Sequence, residues 1–450
     1  MKPAHIISAV LIAIICLFIP AVEAEWPDIG AVAPQLAQIE PVKKEDRILI
    51  LAPHPDDESI GAAGIIQKAV KAGAEVKVMY LTNGEHNQLA FIVYEKRFVI
   101  KQKALIAMGK VRQAEAISAM KFLGVPEENL IFLGYPDFGM LEIFLNYWGD
   151  RKPFKNMLSR VSQVPYENAL TPNAPYKGEA VLWDIESALK KYKPTKIFVT
   201  NPVDTNRDHR AYYLFLQVAL WNLKGKIPPP KIHEYLIHCY TWPVPRNYHP
   251  ELYLPVPQPL KQSSIQWETG PLTDEEVERK YQAIHFYKSQ RAESAFYLDA
   301  FARKNELFGS YPAVELDEAS ALPLAIATTF RNKTVAYGKT NDELIISMFL
   351  GIAGNPKNGF YVYLAPYSPS IDFSEMPKFK INVKEEEVRV YRFGKSVDVK
   401  GMQVERKKHS ITLKIPLRSL QDPEYVLASV GTYTSNYPSD LNAWRLIELK

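Results

Sequence analysis

The feature that most narrows the fold is the run Ile48-Leu49-Ile50-Leu51-Ala52, which ends abruptly in Pro53-His54-Pro55-Asp56-Asp57-Glu58. An unbroken apolar stretch of this kind suits a strand buried on both faces, as in a parallel sheet. The small-residue segment Ser59 to Val70 reads as a helix, so the imidazole and the three acids fall in a strand-to-helix loop. Ligands bind at such strand ends in open α/β sheets.

His54 and Asp57 lie three residues apart in a proline-shaped turn, so a ring nitrogen and a carboxylate oxygen can converge on one point. Mixed N and O donors suit Zn²⁺. Asp56 between them is placed to face a water, as a general base must. Glu58 falls in the first helical turn. The competing use of Asp56 or Asp57 is to cap the helix, but capping does not need His54 and leaves three adjacent acids without a cation.

Downstream, strands and helices alternate, which argues for a doubly wound α/β sheet. Strands are expected at Glu75–Thr82, Asn129–Gly134, Lys196–Thr200 and Lys231–Tyr240. Helices are expected at Val93–Leu123 with an interruption near Gly109, at Glu179–Tyr192, at Ala211–Leu223 and at Leu272–Gln290. Phe301 to Phe308 closes the region. Between Met140 and Gly178 the pattern is irregular, which fits either a cover over an active site or a structural excursion.

The strand Lys196–Thr200 ends in a second informative loop, Asn201-Pro202-Val203-Asp204-Thr205-Asn206-Arg207-Asp208-His209. His209 supplies what the first loop lacks. His54, Asp57 and His209 give two imidazoles and a carboxylate, with a fourth position for water, the pattern of a catalytic zinc site. Asp208 or Asp204 can hold an imidazole N–H from behind. The alternative is that Asn206 or Asp208 caps a helix with His209 in its first turn. His233, His238, His249 and His285 have no partner at ligand spacing and read as structural; His86, near a strand end, is an outer candidate.

After Tyr311 short alternating runs separated by turn residues predict an all-β sandwich over 320–450: Leu344–Leu350, Phe360–Leu364, Phe379–Val383, Val388–Phe393, Ser410–Leu417 and Tyr425–Gly431. Tyr363, Tyr367, Tyr433 and Trp444 suit a glycan surface or a packing module equally. Net charge is +4, from 54 basic minus 50 acidic residues without long runs of one sign, which gives no footing for nucleic-acid binding. Met1 to Ala24 reads as a secretory signal peptide or an uncleaved anchor, with residues 25–44 a lead-in. Loss of Cys16 with the signal leaves Cys239 alone, so no internal disulfide forms; an exported protein of a bacterial envelope, periplasmic or extracellular, fits this, with no further membrane span. Nothing in the sequence specifies an oligomeric state.

Pro53-His54-Pro55-Asp56-Asp57-Glu58, the Arg112-x-x-Glu115 helix ending at Leu123-Gly124, Phe132-Leu133-Gly134-Tyr135-Pro136-Asp137 and Asp208-His209 together resemble the PIG-L/LmbE-like zinc-dependent N-acetylglucosaminyl deacetylases over about residues 45–310. The resemblance implies a Rossmann-like fold and hydrolysis of an N-acetyl group on a glucosamine unit of a glycan or glycoconjugate. It places the zinc ligands on His54, Asp57 and His209, the general base on Asp56, and substrate contacts on Arg112 and Asp137. Many relatives have a His three residues before the last ligand; here that position is Asn206, which can donate to an oxyanion but cannot transfer a proton at neutral pH. Two other readings stand beside this one: a zinc amidase for a non-sugar N-acyl substrate, and a non-catalytic glycan-binding protein.

Overall fold

The computed structural model describes residues 32–86, 102–261, 263–317, 334–349, 360–384, 387–407, 410–434, 437–438 and 443–450. The segment read as a signal peptide, residues 25–31 of the lead-in, residues 93–101 of the expected helix and the side chain of Tyr433 lie outside them.

Strand β2 (Arg47–Ala52) is an interior strand of an eight-stranded, mostly parallel sheet. It pairs in parallel with β3 (Glu75–Thr82) on one side and β5 (Lys196–Thr200) on the other. β4 (Leu130–Tyr135) continues beyond β3 and β6 (Lys231–Tyr235) beyond β5, both parallel. β8 (Asn305–Gly309) is antiparallel to β6 and to β7 (Glu268–Pro271), and β1 (Ala37–Gln38), from the lead-in, forms the far edge.

The helices are α1 (Asp57–Ala72), α2 (Gln102–Leu123), α3 (Met140–Asn146), α4 (Gly178–Tyr192), α5 (Arg207–Asn222), α6 (Asp274–Ile284) and α7 (Lys288–Leu298). Alternation across the pleat explains the apolar run. Leu49 and Leu51 enter one core cluster with α3, α4 and α5, while Ile48 and Ile50 enter another with α1 and α2. The chain moves outward from β2 through β3 to β4, then returns to β5 on the other side of β2. That reversal opens a crevice between the ends of β2 and β5.

Four expectations shift. Helix α2 runs through Gly109 without interruption; the glycine is there because an added Cβ would come 2.2 Å from the Tyr166 hydroxyl. The irregular segment opens with a helix, α3, whose Met140 N–H is taken up by Asp208. β6 stops at Tyr235 because the amides of Ile237 and His238 turn to Asp204. The helix expected over 272–290 divides into α6 and α7, and the second begins where the Ser289 amide and hydroxyl bond Glu115.

The C-terminal part comprises two sheets. One has the order β10 (Thr334–Lys339), β11 (Glu343–Phe349), β17 (Ser410–Pro416), β16 (Gln403–Lys407). The other runs β15 (Lys395–Val397), β14 (Glu387–Arg392), β13 (Phe379–Lys384), β12 (Phe360–Tyr367), β18 (Tyr425–Thr434), β20 (Trp444–Leu449), β9 (Val314–Leu316), with β19 (Tyr437–Pro438) on β18. Pairing is antiparallel except between β20 and β9. Ile346 and Ile415 of the first sheet share one cluster with Val362, Ile381 and Ile447 of the second.

The second sheet's other face packs on the α/β core. Tyr367, Phe373 and Trp444 join the cluster of Phe144, Trp148 and Phe215. The Trp444 amide donates to the Pro202 carbonyl at 3.2 Å. The Arg445 guanidinium sits 3.7 Å from the Tyr311 ring centroid and bonds the Pro312 carbonyl. Tyr367 and Trp444, weighed as a glycan surface, are 3% and 2% exposed and serve packing.

Candidate metal centre

The loop after β2 and the first turn of α5 meet in the crevice. His54 Nδ1 lies 3.1 Å from Asp57 Oδ2, His209 Nε2 lies 3.2 Å from the same oxygen, and the two ring nitrogens are 3.2 Å apart. Three donor atoms so close, all buried, describe the corner of a coordination polyhedron. The fit to a metal rests on this geometry and on the donor set of two imidazoles and a carboxylate, which suits zinc.

Each imidazole is oriented from behind. His54 Nε2 faces Asp137 Oδ1 at 3.2 Å and Asp208 Oδ2 at 3.5 Å, and His209 Nδ1 faces Asp204 Oδ2 at 3.1 Å. A carboxylate that takes the far N–H leaves the near nitrogen's lone pair for a cation. His54, Asp137 and Asp208 also come within ligand distance of one another. Their shared atom is the outward nitrogen of His54, so this group supports the triad.

The carboxylates are themselves tied down. Asp208 accepts from the Phe138 and Met140 amides at 2.6 and 3.0 Å, and Asp204 accepts from the Ile237, His238 and Asn206 amides.

The electrostatics show what a cation would replace. Burial opposes charging His209, but Asp204 and Asp57 outweigh it and lift the ring to about 9. Burial likewise opposes the charged His54, yet Asp137 and the other acids hold it well above the usual histidine range. Despite burial, the two imidazoles keep Asp57 well below the ordinary carboxylate range. Both rings therefore hold protons where a divalent ion can stand instead.

Asp56 has φ 131°, a left-handed value that a non-glycine residue adopts at a cost of about 1–3 kcal/mol. Its amide donates to Glu58 Oε2 at 3.2 Å, and Glu58, fully buried in the first turn of α1, also receives the hydroxyls of Ser59 and Tyr287. The conformation turns the Asp56 carboxylate into the pocket, 3.2 Å from the Arg112 guanidinium. Burial pushes this carboxyl up to about 8, with Arg112 opposing and Asp57 adding to the shift. Positive charge at the triad moves it back down.

Arg112 also bonds the Gly84 and Pro55 carbonyls, so the helical residue read as a substrate contact braces the first loop while lining the pocket. Asp137, the other expected contact, faces His54 and accepts from the His86 amide at 2.9 Å, and it too lines the pocket. Asn206 does cap α5: its Oδ1 accepts from the Asp208 amide at 2.9 Å. Capping fixes the side-chain orientation, so the NH₂ group is the part left for the pocket.

His238, read as structural, belongs to this pocket. Its ring lies 4.8 Å from that of His209 and is stacked on Tyr297, whose hydroxyl is 3.3 Å from Nδ1. That hydroxyl donates to the Ile237 carbonyl, so it accepts from Nδ1–H, and His238 Nε2 is an acceptor. Burial depresses His238 to about 4 and keeps it neutral. Spacing gave no sign of it because β6 ends before it and the loop carries it back. Ser294, at a kink in α7, and Gln290 complete this wall.

The pocket has a volume of about 220 Å³. Among the described residues no helix is long and apolar enough to cross a membrane.

Comparison with known proteins adds the following. Residues 49–220 match the PIG-L family, described as GlcNAc-PI de-N-acetylase. The chain is 32% identical over 111 residues to a 1D-myo-inositol 2-acetamido-2-deoxy-alpha-D-glucopyranoside deacetylase of Kineococcus radiotolerans, covering 24% of this chain and 29% of that protein. It is 32% identical over 108 residues to the deacetylase of the same description from Mycobacterium sp. strain KMS, covering 24% and 32%. The chain thus spans less than a third of the length of these curated relatives. Among solved structures it is similar to the N,N'-diacetylchitobiose deacetylase from Pyrococcus horikoshii, at 19% identity and a TM-score of 0.35 over 59% of this chain and 84% of that one.

Proposed function

We propose, from the match of residues 49–220 to the PIG-L family, that the protein hydrolyses the N-acetyl group of a GlcNAc-type sugar in a glycan or glycoconjugate. The observation that carries this reading is the convergence of His54 Nδ1, Asp57 Oδ2 and His209 Nε2, within 3.1–3.2 Å of one another, inside the matching segment. These three atoms would hold a divalent metal, with zinc the best fit to the donor set. When bound, the metal supplies Lewis acidity to the acetamide carbonyl and to the attacking water.

The chain's own groups supply the proton path. Asp56, aimed by its strained backbone and by Arg112, takes a proton from the attacking water and returns it to the departing amine. The Asn206 NH₂ group donates to the carbonyl oxygen as negative charge builds there. His238 Nε2, an acceptor on the opposite wall, takes a hydroxyl of the sugar.

Purified protein lacking residues 1–24 is expected to contain one zinc per chain and to release acetate from GlcNAc glycosides but not from acetylated amines or peptides. Zinc with acetate release from amines alone would replace the sugar substrate with another amide. We also propose that the chain is exported, on the pattern of residues 1–24 and on Cys239 being the one cysteine left once those residues and Cys16 are removed. Fractionation of cells producing the full chain tests this: recovery in the cytoplasm at full length would overturn it.

A further inference from the structure

Beside the catalytic pocket runs a second, larger cavity of about 760 Å³, within the size range of small-molecule sites. The two share Asp137 and Phe138 as a common wall. We infer that this groove is the subsite for the non-sugar portion of the substrate, and that this portion is an apolar, acidic aglycone joined directly to the sugar. The inference rests on the deacetylase reading for the sugar, and on the following observations for the aglycone.

The first concerns the walls. Phe138 is 63% exposed and Met157 80% exposed, beside the partly buried Phe154 and Leu158. Large side chains are not normally presented to water in such a group without a ligand or partner. Phe138 is moreover held at φ 59°, a left-handed value unusual for an aromatic residue. Its amide is fixed by Asp208, the carboxylate that also faces His54, so the ring's position is tied to that of the metal centre.

The second is that the wall is preformed. Asn156 Oδ1 accepts from the Leu158 and Ser159 amides, and the Asn156 and Arg160 backbones close the turn on Val161 and Asn156. Met157 sits at the tip of this braced turn, so its exposure is built in.

The third is an unmet polar demand. His86 lines the groove, is only 5% exposed, and has no hydrogen-bond partner at Nε2 among the described residues. Its Nδ1 lies 2.8 Å from the Asp137 carbonyl, which can only accept, and 3.1 Å from the Asn156 NH₂ group, which can only donate; the shorter contact sets the proton on Nδ1, the NH₂ group turns to the same carbonyl at 3.4 Å, and Nε2 is a buried lone pair open to a donor. A ligand hydroxyl or N–H satisfies it.

The fourth is charge. Lys155 and Arg160 are exposed on the rim, and Asp137, already facing His54, is the one acid among the described lining residues.

Together these features select the occupant. A longer N-acyl chain would fill the apolar walls but brings neither a donor for His86 nor an anion for the rim. A polyol aglycone would satisfy His86 but wastes the aromatic walls next to the sugar. An aryl or alkyl glycoside bearing a hydroxyl and an acidic group meets all of them.

The test uses zinc-loaded full-length protein. Binding is measured by calorimetry, and acetate release by kinetics, for GlcNAc, its myo-inositol glycoside, its phenyl and 4-carboxyphenyl glycosides, and glucosamine N-acylated with hexanoate. We expect the phenyl glycoside to bind about tenfold more tightly than GlcNAc and the inositol glycoside, with a further gain from the carboxyl group. In M157D the phenyl-to-GlcNAc ratio should fall toward one, and in M157L it should be kept; K155E should remove the carboxyl gain alone.

Equal binding of all glycosides, no binding of any, a ratio unmoved in M157D, or a gain that follows the acyl chain would each overturn the inference. Acetate release without an aglycone gain refutes the groove and leaves the deacetylase. An aglycone gain without acetate release refutes the deacetylase and leaves the groove.

Discussion

Two regions of this molecule are buried to a similar degree and held together by opposite means. The crevice between β2 and β5 gathers His54, Asp57, Asp137, Asp204, Asp208 and His209, none more than 7% exposed. The seam between the α/β core and the second C-terminal sheet gathers Phe144, Trp148, Phe215, Phe373 and Trp444. In the crevice every group is a condition of its neighbour's charge, so removal of one leaves another buried without compensation. In the seam the ring contacts, such as Phe144 on Phe215 at 5.0 Å and Trp148 on Phe373 at 5.1 Å, contribute area, and losses there scale with what is removed. Chemistry is therefore fragile in one region and stability graded in the other.

This contrast can be broken most decisively at Asp56. Asp56→Asn should lower turnover by about 10²–10⁴-fold with metal content unchanged, read by kinetics beside metal analysis. Loss of metal would make Asp56 a ligand and erase the division of labour between it and Asp57.

Next in size, Trp444→Ala should cost about 3–5 kcal/mol of stability in denaturant unfolding, with metal stoichiometry kept. A stable variant that loses metal would mean the seam and the crevice are one unit.

Asp204→Asn should weaken metal binding about 10–100-fold by releasing the far nitrogen of His209, measured by competition with a chelator. An unchanged affinity would show that the ring is oriented by packing alone.

The smallest effect is in pH. His209 is lifted from 6.5 to about 9 in the metal-free fold, so its stabilising contribution is complete below pH 6.5 and is lost as pH rises through 9. Asp57, held below its usual 3.8, contributes throughout that window. The difference in Tm between metal-loaded and metal-free protein should therefore widen from pH 6.5 to 9. A constant difference would remove the proton from His209 and weaken its place in the triad.

What the sequence disclosed follows the same division. The apolar run 48–52 announced an interior buried strand because both faces of β2 are covered, and the two strand-end loops announced His54, Asp57 and His209 through local spacing. Asp204 and Asp208 were legible because they share a loop with the residue they accompany.

His238 was not, since its approach depends on where the chain goes after β6, and Tyr297, which fixes its tautomer, comes from α7. The role of Arg112 as a brace was equally hidden: its partners, the carbonyls of Gly84 and Pro55, leave no trace in side-chain identity. For the C-terminal region alternation gave β11, β12, β13, β14, β17 and β18 but missed β9, β10, β15, β16, β19 and β20. It could not say that Tyr367 and Trp444 face another part of the chain, because an aromatic on a strand looks the same whether it meets solvent or a second core.

The hydrogen bond from the Trp444 amide to the Pro202 carbonyl bears on the order of events during synthesis. Pro202 belongs to the loop that carries Asp204, Asn206 and His209, and it leaves the ribosome well before Trp444 is made. Until β20 arrives, that loop lacks one of its anchors and the aromatic face of α3 and α5 is wet. Contacts so distant in sequence close late. The last anchor of that loop is thus in place only after the C-terminal sheet has been translated, and a nascent chain released early presents the uncovered aromatic face to solvent.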